Sequence, residues 1–179
     1  MMCDPGPVID KATLRRRMRQ VCDLIDDRTL RSVQLWAALA ELPQYHSASR
    51  VMAFASMDAE PDTDGLHARL ARDGKTLLLP RIVGDHLEVA DAAVGLRRGM
   101  WGIREPIGPT ADPTTIDLVV VPGVAFTATG GRLGHGKAYY DRFLPTTHAY
   151  TVGVCFAEQL VDELPLEPHD VMLDRVLTA

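Results

Sequence analysis

The 179-residue chain predicts an α/β fold, a three-layer arrangement in which a sheet of mostly parallel strands carries helices on both faces. Three observations lead there. Leu118–Val121 and Thr151–Cys155 are short, apolar and valine-rich, as strands of buried parallel sheets tend to be. Segments with helix and strand signatures alternate along the chain, the pattern of a sheet covered on both sides. The composition, 46% hydrophobic and 24% charged, is that of a globular chain long enough to bury an ordinary core, and residues 1–179 read as one domain without a dividing linker.

The elements follow in order. Leu14, Met18, Val21 and Ile25 recur at helical spacing, and Asp10 stands where a cap belongs, so the first element is an amphipathic helix. Arg28 to Leu42 reads as a second helix, stopped near Pro43. Arg50 to Ala55 reads as a strand. A short helix then runs to Arg72, capped by Asp62 or Thr63 and ended by Asp73-Gly74. Thr76 to Leu79 is the next strand. The Arg81–Thr115 region, broken by several Gly and Pro residues, reads as loops around a site. In sheets of this kind ligands sit beyond the carboxyl ends of the strands, which puts the loops after Ala55 and Val121 on the same edge.

Charge and cysteine usage exclude several classes. A net charge of -5 argues against non-specific nucleic-acid binding, which needs a basic footprint. Cys3, Cys22 and Cys155 are odd in number and widely spaced, offering neither a disulfide framework nor a Cys-x-x-Cys metal site. Met1 to Asp10 has no secretory pattern, and no apolar run approaches a membrane span. The expectation is a cytoplasmic monomer acting on small molecules, with neither nucleic acid nor membrane as partner.

The chemistry concentrates between Gly123 and Leu144. Behind the strand at Leu118–Val121 come Gly130, Gly131, Gly134 and Gly136, with Arg132 among them and Lys137 immediately after. Glycines let the backbone approach a ligand and turn successive N–H groups inward, which suits an anion. A helix expected to start near Lys137 would add its positive end. The spacing matches neither the Gly-x-x-x-x-Gly-Lys-Ser/Thr loop nor Gly-x-Gly-x-x-Gly, so the residues alone say phosphate binder. Lys11, Arg15 and Arg19 form a basic stripe on the first helix, and a solvated face is the expectation for Arg16, Arg17 and Arg19.

Arg132-Leu-Gly-His-Gly-Lys-Ala-Tyr-Tyr-Asp-Arg142 behind Pro-Gly-Val-Ala-Phe resembles the signature of the 5-formyltetrahydrofolate cyclo-ligase (methenyltetrahydrofolate synthetase) family. The resemblance extends over nearly the whole chain: Lys11-Ala-Thr-Leu-Arg15, Met57 to Thr63, Trp101-Gly-Ile-Arg-Glu-Pro106, Pro168-His-Asp170 and Asp174-Arg-Val-Leu-Thr178 match further family segments in order.

The resemblance implies an enzyme that uses ATP and Mg²⁺ to convert 5-formyltetrahydrofolate to 5,10-methenyltetrahydrofolate, releasing ADP and phosphate. It implies ATP contacts at Lys11, Arg15, Arg132, Gly134, Gly136, Lys137 and Tyr140. It implies folate contacts at Ala55, Glu60, Trp101, His135 and Tyr139, with Glu60 on the amino-pyrimidinone edge of the pterin, and magnesium at Asp141 and Asp170. Trp101 is either core or a stacking surface, and His169 is read as packing or hydrogen bonding rather than as a ligand.

Three residues depart from the family's habit. Pro61 replaces an aliphatic residue, Thr127 stands where aspartate is common, and Ala138 where glycine is. Ala138 reads as the first turn of a helix, in right-handed conformation. These departures leave open a paralogue that uses the nucleotide site on another substrate, and a non-catalytic folate- or nucleotide-binding protein.

Overall fold

The structure is a computed structural model that describes residues 10–57, 59–99 and 102–179. Asp10 accepts the Thr13 N–H at 2.9 Å and starts α1 (Lys11–Asp23), followed by α2 (Arg28–Ala40), α3 (Pro43–Ser47), β1 (Arg50–Met52) and α4 (Asp64–Arg72). Then come β2 (Thr76–Val83), β3 (His86–Asp91), β4 (Leu96–Arg98), β5 (Arg104–Pro106), β6 (Leu118–Val121), β7 (Ala125–Phe126), β8 (Arg132–Leu133), α5 (Tyr139–Phe143), β9 (Tyr150–Cys155) and β10 (Arg175–Thr178). The main sheet has the order β10-β9-β6-β1-β2-β3. Every neighbouring pair in it is parallel except β2 and β3.

Strand alternation sorts the core into two layers. Val51, Leu118, Val120, Val152 and Val154 face one side, where α2 and α4 bring Leu35, Trp36, Leu39, Leu66 and Leu70. Met52, Val119, Val121 and Cys155 face the other, against Phe126, Phe143, Leu144 and Leu173. α1 lies off the sheet: its buried Leu14 and Met18 pack on Val124, Ala125 and Leu133 of the β7–β8 hairpin. From there Arg15 reaches the Gly134 carbonyl just after β8, and Lys11 reaches Glu167 and Asp170. Among the described residues no helix is long and apolar enough to cross a membrane.

Several expected boundaries move. α2 ends at Ala40, and Leu42 instead caps α3, with Pro43 in its first turn, a position where the missing N–H costs nothing. Thr63 caps α4 by its backbone only, since its hydroxyl accepts the Ser56 N–H at 3.1 Å. The largest correction concerns 81–115, which is not loops but the second half of β2, then β3 and the β4–β5 hairpin. Gly84-Asp85 is the two-residue turn joining β2 and β3, with Gly84 at φ 62°, a hairpin signal present in the sequence. Pro80 does not break β2, because β1 pairs with β2 only as far as Leu78. Past that point one side of β2 is a free edge, which tolerates proline.

Candidate active site

A cavity of about 340 Å³ opens where β1 and β6 end, walled by α1, the β8–α5 loop, β2, β3, β5 and the 167–170 turn. All the described residues expected at the site line it: Lys11, Arg15, Ala55, Glu60, Arg132, Gly134, His135, Gly136, Lys137, Tyr139, Tyr140, Asp141 and Asp170. Trp101 lies outside the described residues, as does Cys3.

The glycine-rich loop is built on the β7–β8 hairpin. Thr127 closes that hairpin: its N–H donates to the Gly131 carbonyl at 2.9 Å, and its buried Oγ1 accepts the Gly131 N–H at 2.9 Å. A hydroxyl thus supplies a side-chain acceptor, which explains why threonine is accommodated at this position. Gly130 sits at φ 98°, and a Cβ there would lie 2.2 Å from the Leu173 carbonyl oxygen. Gly136, at φ 100°, turns the loop towards α5 in a conformation that L side chains rarely adopt.

The helix does not begin at Lys137. Ala138 caps α5 in the left-handed region, φ 51° and ψ 25°, and the five-residue helix starts at Tyr139. The expected right-handed Ala138 is therefore wrong. The chain must reverse between the cradle and α5, and the residue at that bend carries a Cβ penalty of about 1–2 kcal/mol.

The four cations divide by partner. Arg132 is buried, donating to Asp141 Oδ1 and Oδ2 at 3.0 and 2.9 Å and to the Pro122 carbonyl at 3.3 Å. It lies 5.4 Å from the Tyr140 ring centroid. Lys11 Nζ lies 2.6 Å from both Glu167 Oε2 and Asp170 Oδ2. Burial opposes the charge on Lys11, but its bonds to Asp170 and Glu167 outweigh that and raise its pKa. Burial likewise works against ionised Asp170, and the bonds from Lys11 and from the Glu167 N–H reverse the balance and lower its pKa. Arg15 donates to the Gly134 carbonyl at 2.8 Å. Arg15 and Lys137 are the cavity cations that, among the described residues, pair with no carboxylate.

Glu60 is 8% exposed and closes a tight turn. Its Oε2 accepts the Met57 N–H at 2.9 Å while its own N–H donates to the Met57 carbonyl at 2.9 Å. His135 Nε2 approaches Glu60 Oε1 at 3.4 Å, linking the carboxylate to the glycine-rich loop. α2 braces the same turn: Trp36 Nε1 donates to the Asp62 carbonyl at 2.7 Å, and Ser32 Oγ accepts the Asp62 N–H at 2.9 Å. Tyr139 lies beside the Arg142 guanidinium, 5.5 Å from it. Among the described residues the buried Tyr140 hydroxyl has no hydrogen-bond partner. Burial pushes its pKa up, helped by the Glu60 charge, so the phenol is neutral and can donate.

One wall was not foreseen. Phe54, Pro80, Ile82, Leu87 and Ile103 line the cavity from the segment after β1, from β2 and β3, and from the approach to β5. The signal lay in the Gly84-Asp85 turn, which folds the β2–β3 ribbon over the site. Arg81, Glu105 and Glu167 also line it. Arg81 is structural, bonded to Glu88 at 2.9 Å and to the Gly108 carbonyl at 2.7 Å.

Asp141 and Asp170 offer the hard oxygens that Mg²⁺ takes, and both line the cavity holding the cradle. A carboxylate has about four lone-pair sites, so the bonds from Arg132 and Lys11 do not exhaust them, and the donor set fits the ion. Glu167, His169 and Asp170 also bring ligand atoms within 4.8 Å of one another, but the Lys11 ammonium already sits against both of those acids.

With this geometry in view, the comparisons with known proteins converge. The chain is 30% identical over 190 residues to the probable 5-formyltetrahydrofolate cyclo-ligase of Schizosaccharomyces pombe, covering 94% of this chain and 92% of that one. It is 28% identical over 185 residues to the 5-formyltetrahydrofolate cyclo-ligase of Mus musculus, covering 93% and 90%. Its fold matches the NMR structure of Aquifex aeolicus 5,10-methenyltetrahydrofolate synthetase with a TM-score of 0.84 at 31% identity, over 94% of this chain and 89% of that one. Residues 8–179 match the family as a whole, and the chain belongs to the 5-formyltetrahydrofolate cyclo-ligase family.

Proposed function

We infer that the chain carries out the reaction of its family, the ATP-dependent conversion of 5-formyltetrahydrofolate to 5,10-methenyltetrahydrofolate with release of ADP and phosphate. The observation that carries this reading is one cavity with two kinds of wall. A glycine-rich loop beside Arg15 and Lys137, which have no acid partner among the described residues, suits phosphates, and an apolar surface beside the buried Glu60 suits a flat heterocycle with an N–H edge.

An N-formyl group is a poor electrophile. Its oxygen attacks the γ-phosphorus and ADP leaves, which turns that oxygen into part of a phosphate leaving group. The neighbouring folate nitrogen then adds to the formyl carbon and loses its proton, and phosphate departs with the former formyl oxygen. The work left to the protein is positioning and neutralisation of charge. Arg15 and Lys137 meet the phosphates along the Gly134–Gly136 backbone. Lys11 joins them from α1, and Tyr140 lends its hydroxyl. Arg132 holds Asp141 in place, and Asp141 and Asp170 are the residues to hold Mg²⁺, which when bound offsets charge on the phosphates. Glu60 takes the amino-pyrimidinone edge, with Ala55, His135 and Tyr139 around the folate. The reading takes the enzyme to be a cytoplasmic monomer.

The test is to supply ATP and Mg²⁺ with and without 5-formyltetrahydrofolate. ADP should form only with the folate, in step with the methenyl chromophore. ADP formation indifferent to the folate would overturn the reading and favour a paralogue with another substrate; no turnover with intact binding would favour a non-catalytic binder.

A further inference from the structure

Glu105, on β5, is buried at 7% exposure and lines the cavity. The other buried or half-buried acids there are all bonded: Asp141 by Arg132, Asp170 by Lys11, and Glu60 by the Met57 N–H. Among the described residues nothing donates a hydrogen bond to Glu105. Its ion-pair partner is Arg97 at 3.5 Å, directly across the β4–β5 ladder, and that side chain is 61% exposed. The backbone is cut away to seat the carboxylate, since a Cβ on Gly99 would fall 2.1 Å from Glu105 Cδ and 2.4 Å from Oε2. Its oxygens stay open to the cavity; a carboxylate is an acceptor only, so a ligand that covers it without offering donors would make its burial costly. A ligand carrying N–H groups would supply them.

Two ligands of the inferred reaction offer such groups: the reduced pteridine, through its ring N–H and amino groups, and adenine, through its amino group. Sheet position separates them. Glu105 belongs to the wall formed with β2 and β3, at one edge of the β10-β9-β6-β1-β2-β3 order, whereas the turn carrying Asp170 leads into β10 at the other. We propose that Glu105 is a second recognition carboxylate of this cavity, accepting hydrogen bonds from the N–H groups of the reduced pteridine. The proposal rests on the functional reading above.

Calorimetric titration of 5-formyltetrahydrofolate and, separately, of a non-hydrolysable ATP analogue into wild type, Glu105→Gln, Glu105→Asp and Arg97→Ala tests it, with melting curves for each. Glu105→Gln should weaken the folate at least tenfold and the nucleotide less than twofold, at an unchanged or higher melting temperature. Glu105→Asp should fall between it and wild type, and Arg97→Ala should stay within threefold of wild type. Equal folate losses in Glu105→Gln and Arg97→Ala would reduce Glu105 to a cross-strand partner and overturn the proposal. So would an unaltered folate affinity, or a loss confined to the nucleotide. A wild-type protein that ignores the folate would overturn the functional reading instead, since that result appears before any variant is compared.

Discussion

At the scale of single residues, the cradle is decided by which groups already have partners. Lys137 has none among the described residues and is exposed, so it is the cation most available to phosphate. Lys137→Ala should raise the KM for ATP by about ten- to a hundredfold, the worth of one charge-assisted contact. The exposed Arg16 serves as control, and Arg16→Ala should change it less than twofold; equal effects in steady-state assays would mean a diffuse field rather than a contact. Ala138 bears on stability. Its left-handed φ of 51° predicts that Ala138→Gly stabilises the protein by about 1 kcal/mol in denaturant titrations. A loss of stability would show that the bend is relaxed in solution. Residue types at the site were legible in the sequence, because glycines flanked by Arg132 and Lys137 have few other uses. Pairing was not. Nothing in the spacing says that Arg132 turns inward to Asp141, or that Lys11 reaches across 159 positions to Asp170.

At the scale of elements, α4 reaches the site through His67. His67 Nε2 donates to the Phe54 carbonyl at 2.9 Å, fixing the backbone where β1 gives way to the substrate loop. Burial lowers the His67 pKa below 6.5, and its bond to Phe54 only partly offsets that. The folded state therefore binds fewer protons here than the unfolded chain. Stability from this group is present above about pH 6.5 and is lost as pH falls through and below that value. Chemical denaturation at pH 7.5 and pH 5.5 should show a drop in wild type that shrinks in His67→Gln; an equal drop in both would assign it to other groups. α1 depends on packing rather than on the sheet, and Met18, 3% exposed against the β7–β8 hairpin, makes the contact measurable. Met18→Ala should cost about 2–5 kcal/mol in the same titrations, and a cost under about 1 kcal/mol would mean that α1 docks loosely. Helices with clear apolar periodicity, such as α1, were readable from sequence. α3 was not, since five residues are too few to show a period, and the β4–β5 hairpin was not, since exposed Leu96-Arg97-Arg98 carries no apolar alternation.

At the scale of the whole molecule, the architecture follows from two valine-rich strands and the alternation around them, and it places Glu60 and the glycine-rich loop at one sheet edge as anticipated. What the sequence hid was the opposite wall. Gly and Pro in 81–115 suggest loops by composition, yet Gly84 makes a hairpin turn and Pro106 lies within β5, opposite Leu96. That ribbon turns an open glycine-rich loop into one side of a two-walled cavity, which is what the inferred chemistry requires. The central claim is that the cavity brings the formyl oxygen onto the γ-phosphorus. The direct measurement is a turnover with 5-formyltetrahydrofolate carrying ¹⁸O in the formyl group, followed by mass analysis of the released phosphate. One labelled oxygen should appear in each phosphate formed; unlabelled phosphate, with the methenyl product still accumulating, would contradict the account.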